Sequence, residues 1–209
     1  MSPSPGRAIL PAMYTPPAFR VEDHATLLRL MQAPRLATLA CNGPDGLPAV
    51  TLLPLLTDGT RIVGHLARAN PHCEALRRAG RAVAVFHGAE GYVSPSAYPS
   101  KREHGRVVPT WNYEAVHAAG PVEIIEDAQR LHAIVDELTR HHESPRAQPW
   151  AVSDAPEPFI AGQLKGILGF VLTIESLTGK RKLSQNRSEA DRAGVLAQAE
   201  PALAAAMKE

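Results

Sequence analysis

At 209 residues, 44% hydrophobic and 21% charged, the chain has the make-up of one large globular domain. A chain this long buries roughly 70% of the surface its unfolded form exposes, so neither a metal nor a disulfide framework is needed to hold it together. Its 22 basic and 21 acidic residues leave a formal charge of +1. That balance supplies no general pull toward nucleic acid or anionic lipid, and no apolar run approaches the length of a membrane span.

The first 20 residues are rich in Pro and read as an extended arm, without the continuous apolar stretch of a signal peptide. Cys41 and Cys73 lie far apart and form no C-x-x-C pair, which fits a reduced, cytoplasmic setting. A helix is expected from about Asp23 to Gln32, with Leu27, Leu28, Leu30 and Met31 on its apolar side and Pro34 ending it. Strand patterns follow at 35–42 and 47–56, and Asp58-Gly59 marks a two-residue hairpin into 60–67. A short helix from Pro71 to about Ala79 precedes strands at 81–88, 91–98 and 107–126. Leu131, Ile134, Val135 and Leu138 recur at helical spacing within an amphipathic helix over 127–142. A Pro-rich connector, a helical piece near 159–164, a strand at 167–177 and an Ala-rich helix at 189–208 complete the chain. Many strands joined by hairpins, with helices at the margins and no regular βαβ alternation, predict a mainly antiparallel barrel of the α+β class.

Four polar clusters interrupt this apolar framework. In GHLARANPHCEALRRAG (64–80), Asn70 suits an N-cap and Pro71 the first helical position, so free backbone N–H groups beside Arg68 are expected to form a phosphate corner. The same pattern also describes an ordinary capped helix with a solvated Arg. In GYVSPSAYPSK (91–101), Ser94, Ser96, Tyr98 and Ser100 alternate with apolar residues, placing hydroxyls on one face of an extended segment ahead of Lys101. In VVPTWNYEAVHAAG (107–120), Trp111, Tyr113 and His117 share one face of a strand, while Thr110, Asn112 and Glu114 share the other. An aromatic face backed by an amide suits a dimer seam or a ligand wall, and equally a half-buried strand. Finally, Gly179 is read as a turn that presents Lys180, Arg181 and Lys182, before an N-cap at Ser188 with Asp191 three residues on. This turn is either a solvated basic loop or an anion-binding corner. Nine histidines are present, but their spacing matches no metal-ligand set.

The segments MYTPPAF (13–19), GHLARANPH (64–72), YVSPSAY (92–98), VVPTWNYEAVHAAG (107–120), GILGF (166–170) and GKRKLSQN (179–186) occur in this order. Together they resemble the PaiB-type FMN-binding negative transcriptional regulators, over Met13 to about residue 190. The resemblance implies an FMN-binding split β-barrel like that of pyridoxine-phosphate oxidase, spanning 13–188 with the 127–142 helix inserted and a C-terminal helix at 189–209 packed on it. It also implies that residues 1–12 are a disordered extension, and that two subunits pair with FMN in the cleft between them. Two positions depart from the family pattern: Ala97 replaces an aromatic, and His72 replaces Gln.

With FMN as the expected cofactor, Arg68 and the helix start at Asn70, with Lys101 or Lys182, are candidates for the phosphate and ribityl chain. Trp111 is expected to wall the ring, and Asn112 or Gln185 to meet its polar edge. His65, Ser94, Ser96, Tyr98, Thr110 and Asn186 complete the expected cofactor-binding set. The resemblance implies a regulator, yet no helix-turn-helix or extended basic face for direct DNA contact is legible. The alternative is an FMN-dependent oxidoreductase using reduced nicotinamide, with His117 or Tyr98 as proton donor. A haem-binding barrel ranks third.

Overall fold

The structure, a computed structural model, describes residues 13–209; the extension expected at 1–12 lies outside the described residues. Its strands are β1 (Arg20–Val21), β2 (Leu36–Asn42), β3 (Pro48–Pro54), β4 (Leu56–Thr57), β5 (Arg61–Ala67), β6 (Arg81–Val93), β7 (Thr110–Ile125), β8 (Ile167–Thr173) and β9 (Ser176–Lys182). Its helices are α1 (His24–Gln32), α2 (His72–Ala79), α3 (Ser100–His104), α4 (Ala128–Glu143), α5 (Glu157–Lys165), α6 (Glu189–Gln198) and α7 (Pro201–Lys208). The strands follow the order β3-β2-β6-β7-β8-β5-β4, with β9 pairing β1 and β7. The pairings of β1 with β9, β2 with β3 and β6, β4 with β5, and β8 with β5 and β7 are antiparallel, as the hairpin-rich sequence predicts.

Two compact units emerge from the contacts. The larger holds Asp23–Gly88 and Ala115–Leu177; the smaller holds the described residues up to Glu22, Ala89–Glu114 and Thr178–Glu209.

In the larger unit, β2 and β3 pair over seven residues, from Leu36↔Pro54 to Asn42↔Pro48. Directly opposed residues share a face, so Ala37, Leu39, Leu53 and Ala84 of β6 point into the core. Leu36, Val50 and Leu52 point the other way. The Asp58-Gly59 hairpin forms as expected, with Gly59 at φ +93° and the Asp58 carboxylate accepting from the Thr60 and Arg61 backbone N–H groups. Helix α4 is capped by Asp127, whose Oδ1 accepts from Arg130 N at 2.9 Å. Its Leu131, Ile134 and Leu138 pack with Leu56, Val63 and Ile125.

In the smaller unit, Ala89, Val93, Ala97, Tyr98, Leu183, Val195, Leu203 and Met207 form one core. Three expectations are corrected here. The strand pattern at 91–98 is interrupted, because β6 runs unbroken from 81 to 93 and a 3-10 turn at Pro95–Ala97 follows, started by a Pro with φ preset for it. The basic turn at 179–182 is instead part of β9, with Gly179 opposite Val21 and Lys180 opposite Arg20. The final helix breaks before Pro201, whose missing N–H and fixed φ favour the start of a new helix.

Candidate functional site

The corner where β3 and β5 lead to α2 carries the most distinctive chemistry of the larger unit. Asn70 and Pro71 do start α2, but the backbone N–H groups expected to be free there have partners. His72 N donates to Asn70 Oδ1 at 2.9 Å, Cys73 N to the Asn70 carbonyl at 3.0 Å and Glu74 N to the Pro71 carbonyl at 3.2 Å. Pro71 has no N–H, so the first turn offers no free donor. Arg68 is likewise engaged: Nη1 meets Glu126 at 2.6 Å, while Nε and Nη2 donate to the Lys165 and Ile167 carbonyls at 3.2 Å. Arg77 shares the same Glu126 oxygen at 2.9 Å. Hydrogen bonds from Arg68 and then Arg77 hold the Glu126 carboxyl below its usual range.

What this corner does offer is an imidazole. His72 is 2% exposed; its Nδ1 lies 2.8 Å from Thr51 Oγ1, which also accepts from Asn70 Nδ2 at 3.2 Å. His72 Nε2 is buried without a partner, and burial pushes the ring's pKa down. His72 and Asn70 line a cavity of about 430 Å³, together with Ala49, Val50, Glu74 and Arg78. On β5, His65 is half-buried; its Nδ1 is also without a partner, and burial lowers its pKa too. A larger cavity of about 600 Å³ beside α4 and α5 is lined by Gln129, His132, Ser153 and Glu157, all exposed. No buried polar atom is left unmet there, so chemistry favours the smaller cavity.

The remaining expected residues belong to the smaller unit and fall into separate groups. Ser94 Oγ accepts from Ser96 N at 3.2 Å, and Ser96 Oγ accepts from Lys101 Nζ at 3.1 Å. Their hydroxyls thus serve the local turn instead of one extended face. Tyr98 is buried with its hydroxyl unpartnered, and the Arg187 guanidinium lies 5.0 Å from its ring centroid. Lys182 Nζ donates to Thr110 Oγ1 and, at 2.8 Å, to the Trp111 carbonyl. Burial lowers the Lys182 pKa; Tyr113 opposes that shift, while Lys180 and Arg187 add to it. Trp111 is 47% exposed and pairs with Tyr92 at a centroid distance of 6.2 Å. Asn112 is fully buried, with Nδ2 donating to Ser184 Oγ at 3.0 Å. Gln185 Oε1 accepts from Leu183 N at 2.6 Å, within its own loop, and Asn186 is exposed.

The two faces expected of this strand are present, and the polar one is the face turned inward. Asn112 and Glu114 face inward and are satisfied there, whereas Trp111 faces out. Two residues central to the larger unit's corner, Thr51 and His72, were not among the expected site residues. Their only sequence signal is a hydroxyl within an apolar strand and a His at a helix start.

A cavity of this size, walled by apolar groups with a few polar side chains, one of them His72 with a buried ring nitrogen lacking a partner, fits part of a flavin nucleotide. Residues 13–176 match the family model described as "Putative FMN-binding domain". The chain is 32% identical over 194 residues to "Protease synthase and sporulation protein PAI 2" of Bacillus subtilis (strain 168), covering 89% of this chain and 88% of that protein. It is 36% identical over 173 residues to an uncharacterised protein of Aspergillus fumigatus, covering 68% and 66% respectively. Among solved structures, it is similar to a conserved hypothetical protein from Mycobacterium tuberculosis, with TM-score 0.59 and 16% identity over 84% of this chain and 94% of that one. It is also similar to the FAD and haem binding protein from Mycobacterium smegmatis, with TM-score 0.55 and 20% identity over 78% and 73%. These structural likenesses bear on fold alone, and the fold is the split β-barrel with flanking helices. Matched by the family model over most of its length and by the Bacillus relative nearly end to end, the chain belongs to the PaiB-type family of FMN-binding proteins, with FMN as its cofactor.

Proposed function

We propose that this FMN-binding protein is a cytoplasmic, flavin-linked regulator that works as a homodimer. FMN engages the corner formed by Thr51, Asn70 and His72, with His65 of β5 as a further candidate. The cavity lined by His72, whose Nε2 is buried and unpartnered, carries this reading. Arg68 remains a candidate for the phosphate, because its solvent-screened pair with Glu126 is weak and a dianion competes well for the guanidinium. Bound FMN supplies hydride or single-electron transfer, and the chain's own groups orient it and exclude water. A visible spectrum after adding FMN and desalting is the test. A retained, shifted flavin band is expected, and a colourless protein would end the reading.

Support for the homodimer comes from the outer face of β2 and β3. Leu36, Val50 and Leu52 are 56%, 52% and 65% exposed, and Thr38, Ala40, Val83 and Val85 continue the same face. An apolar sheet face of this kind is suited to a second copy. Leu52→Glu is expected to turn a dimer into a monomer in light-scattering chromatography. A wild type that is already monomeric at micromolar concentration would rule out the pairing.

Regulation is proposed to act through flavin state or a partner protein. Of the three basic residues at 180–182, Lys180 is buried between the Tyr14 and Tyr113 rings, and Arg181 is bound to Glu114. They are spent on folding. No helix among the described residues is long and apolar enough to cross a membrane. Transcript profiles of cells lacking the protein, or carrying a folded variant unable to hold FMN, should both differ from wild type; identical profiles would refute the regulatory role.

One observation favours oxidoreductase activity as a second reading. The exposed Tyr92–Trp111 pair beside the Lys182 ammonium suits a planar anionic substrate. FMN-dependent oxidation of reduced nicotinamide, lost in Lys182→Met, would support it.

A further inference from the structure

The Asn70–Thr51–His72 network bears on where the proton of the buried imidazole resides. Asn70 Oδ1 accepts the His72 backbone N–H at 2.9 Å, which sets the orientation of the amide. Its Nδ2 therefore donates to Thr51 Oγ1 at 3.2 Å. The Thr51 hydroxyl has one hydrogen, and the arrangement that uses it makes His72 Nδ1, 2.8 Å away, the acceptor. A neutral ring that accepts at Nδ1 carries its proton on Nε2. That Nε2 is buried and unpartnered in a residue that lines the cavity of about 430 Å³. A core histidine with no further role would normally have both nitrogens satisfied.

Resting on the assignment of FMN to this corner, we propose that His72 Nε2–H is a hydrogen-bond donor to an acceptor oxygen of FMN, with Thr51 and Asn70 as positioning residues that lock its tautomer. The donor is neutral. Charges around the cavity are Asp45, Glu74 and Arg78, with Arg78 Nε donating to Glu74 at 2.8 Å. The acceptor oxygen belongs either to the phosphate or to the ring and ribityl part, and the two sources respond differently to the same variants.

The experiment is a flavin-fluorescence titration of the full chain with FMN and with riboflavin, for wild type, His72→Ala, His72→Gln and Thr51→Val. Loss of one hydrogen bond to the ligand weakens binding about tenfold. His72→Ala is expected to show that loss, His72→Gln to restore most of it, and Thr51→Val to fall between. If the oxygen is a phosphate oxygen, only FMN binding weakens, and inorganic phosphate competes with FMN for wild type more strongly than for His72→Ala. If it lies on the ring or ribityl chain, FMN and riboflavin weaken together. Wild-type affinity in a folded His72→Ala protein overturns the proposal and leaves the FMN assignment intact. Failure of the wild type to bind FMN overturns both. Should His72→Ala not fold, the imidazole nitrogen resonances of the wild type decide. A proton on Nδ1, or an Nε2–H signal unmoved by FMN, overturns the proposal.

Discussion

Glu114 shows how much one side chain carries in the smaller unit. Its carboxylate accepts from Arg181 Nε at 2.6 Å and from Ala89 N at 3.1 Å, and Arg181 also donates to the Ala206 carbonyl at 2.8 Å. The side chains are only 5% and 15% exposed, so removing the carboxylate strands a guanidinium away from water. Glu114→Ala is expected to cost about 3 kcal/mol in urea unfolding, the low end for breaking a buried pair, since Glu209 at 3.2 Å still partly offsets the Arg181 charge. A loss under about 1 kcal/mol would show that water reaches Arg181. Gly120 is a second such residue. A Cβ there would lie 1.8 Å from the Thr173 carbonyl oxygen, and backbone cannot step aside as a side-chain tip can. Gly120→Ala should therefore exceed the roughly 1–3 kcal/mol of ordinary overpacking and leave little folded protein in a thermal scan.

Secondary-structure elements show which local signals hold. Asp23, Asp127 and Ser188 were all legible as helix starts, and each side chain accepts from a first-turn N–H. Asp127→Ala is expected to destabilise by about 1 kcal/mol, detectable as a lower urea midpoint with an unchanged slope. The elements that misled did so for identifiable reasons. The alternating hydroxyls of 94–100 looked extended, but Pro95 favours a turn, and Ser94 caps it. Gly179 looked like a turn residue, but the pairing of β9 with β1 holds it in a strand. The parity of β7 was correct, yet which face is inside depended on Ser184 and Arg181, 72 and 67 residues from their partners. Period-2 alternation separates two faces without telling core from solvent when both carry large side chains.

At the scale of the whole chain, buried histidines set an acid limit. Burial lowers the pKa of His65, His72, His117 and His142, with His87 adding to the effect at His117 and His141 at His142. The unfolded chain then binds protons more readily than the folded one. Stability is full above the ordinary histidine value of 6.5 and declines as pH falls below it. Without added FMN, the thermal midpoint should therefore drop between about pH 6.5 and pH 5. A flat midpoint across that range would mean these rings are solvated. Asp58 adds a lower window. Burial raises its pKa, but hydrogen bonds from Thr60 and Arg61 outweigh that and hold it well below the usual 3.8. Its contribution is present above the ordinary carboxylate value and fades as pH falls below it, discounted because the side chain is about half exposed.

By itself the sequence determined the hairpin at Asp58-Gly59, the amphipathic helix at 128–143, the caps, the antiparallel class and, through its ordered motifs, the FMN-binding family. These are local or cumulative signals: backbone preference, side-chain period and residue order act within a few positions and survive any packing that respects them. The tertiary structure alone decided that Arg68 is tied to Glu126, that Asn112 and Glu114 face inward, and that Thr51 meets His72 beside a cavity. Each depends on a partner between 21 and 72 residues away, brought near by sheet register and helix packing. A side chain's type fixes what bonds it can make. Only the fold fixes which of them remain for a ligand.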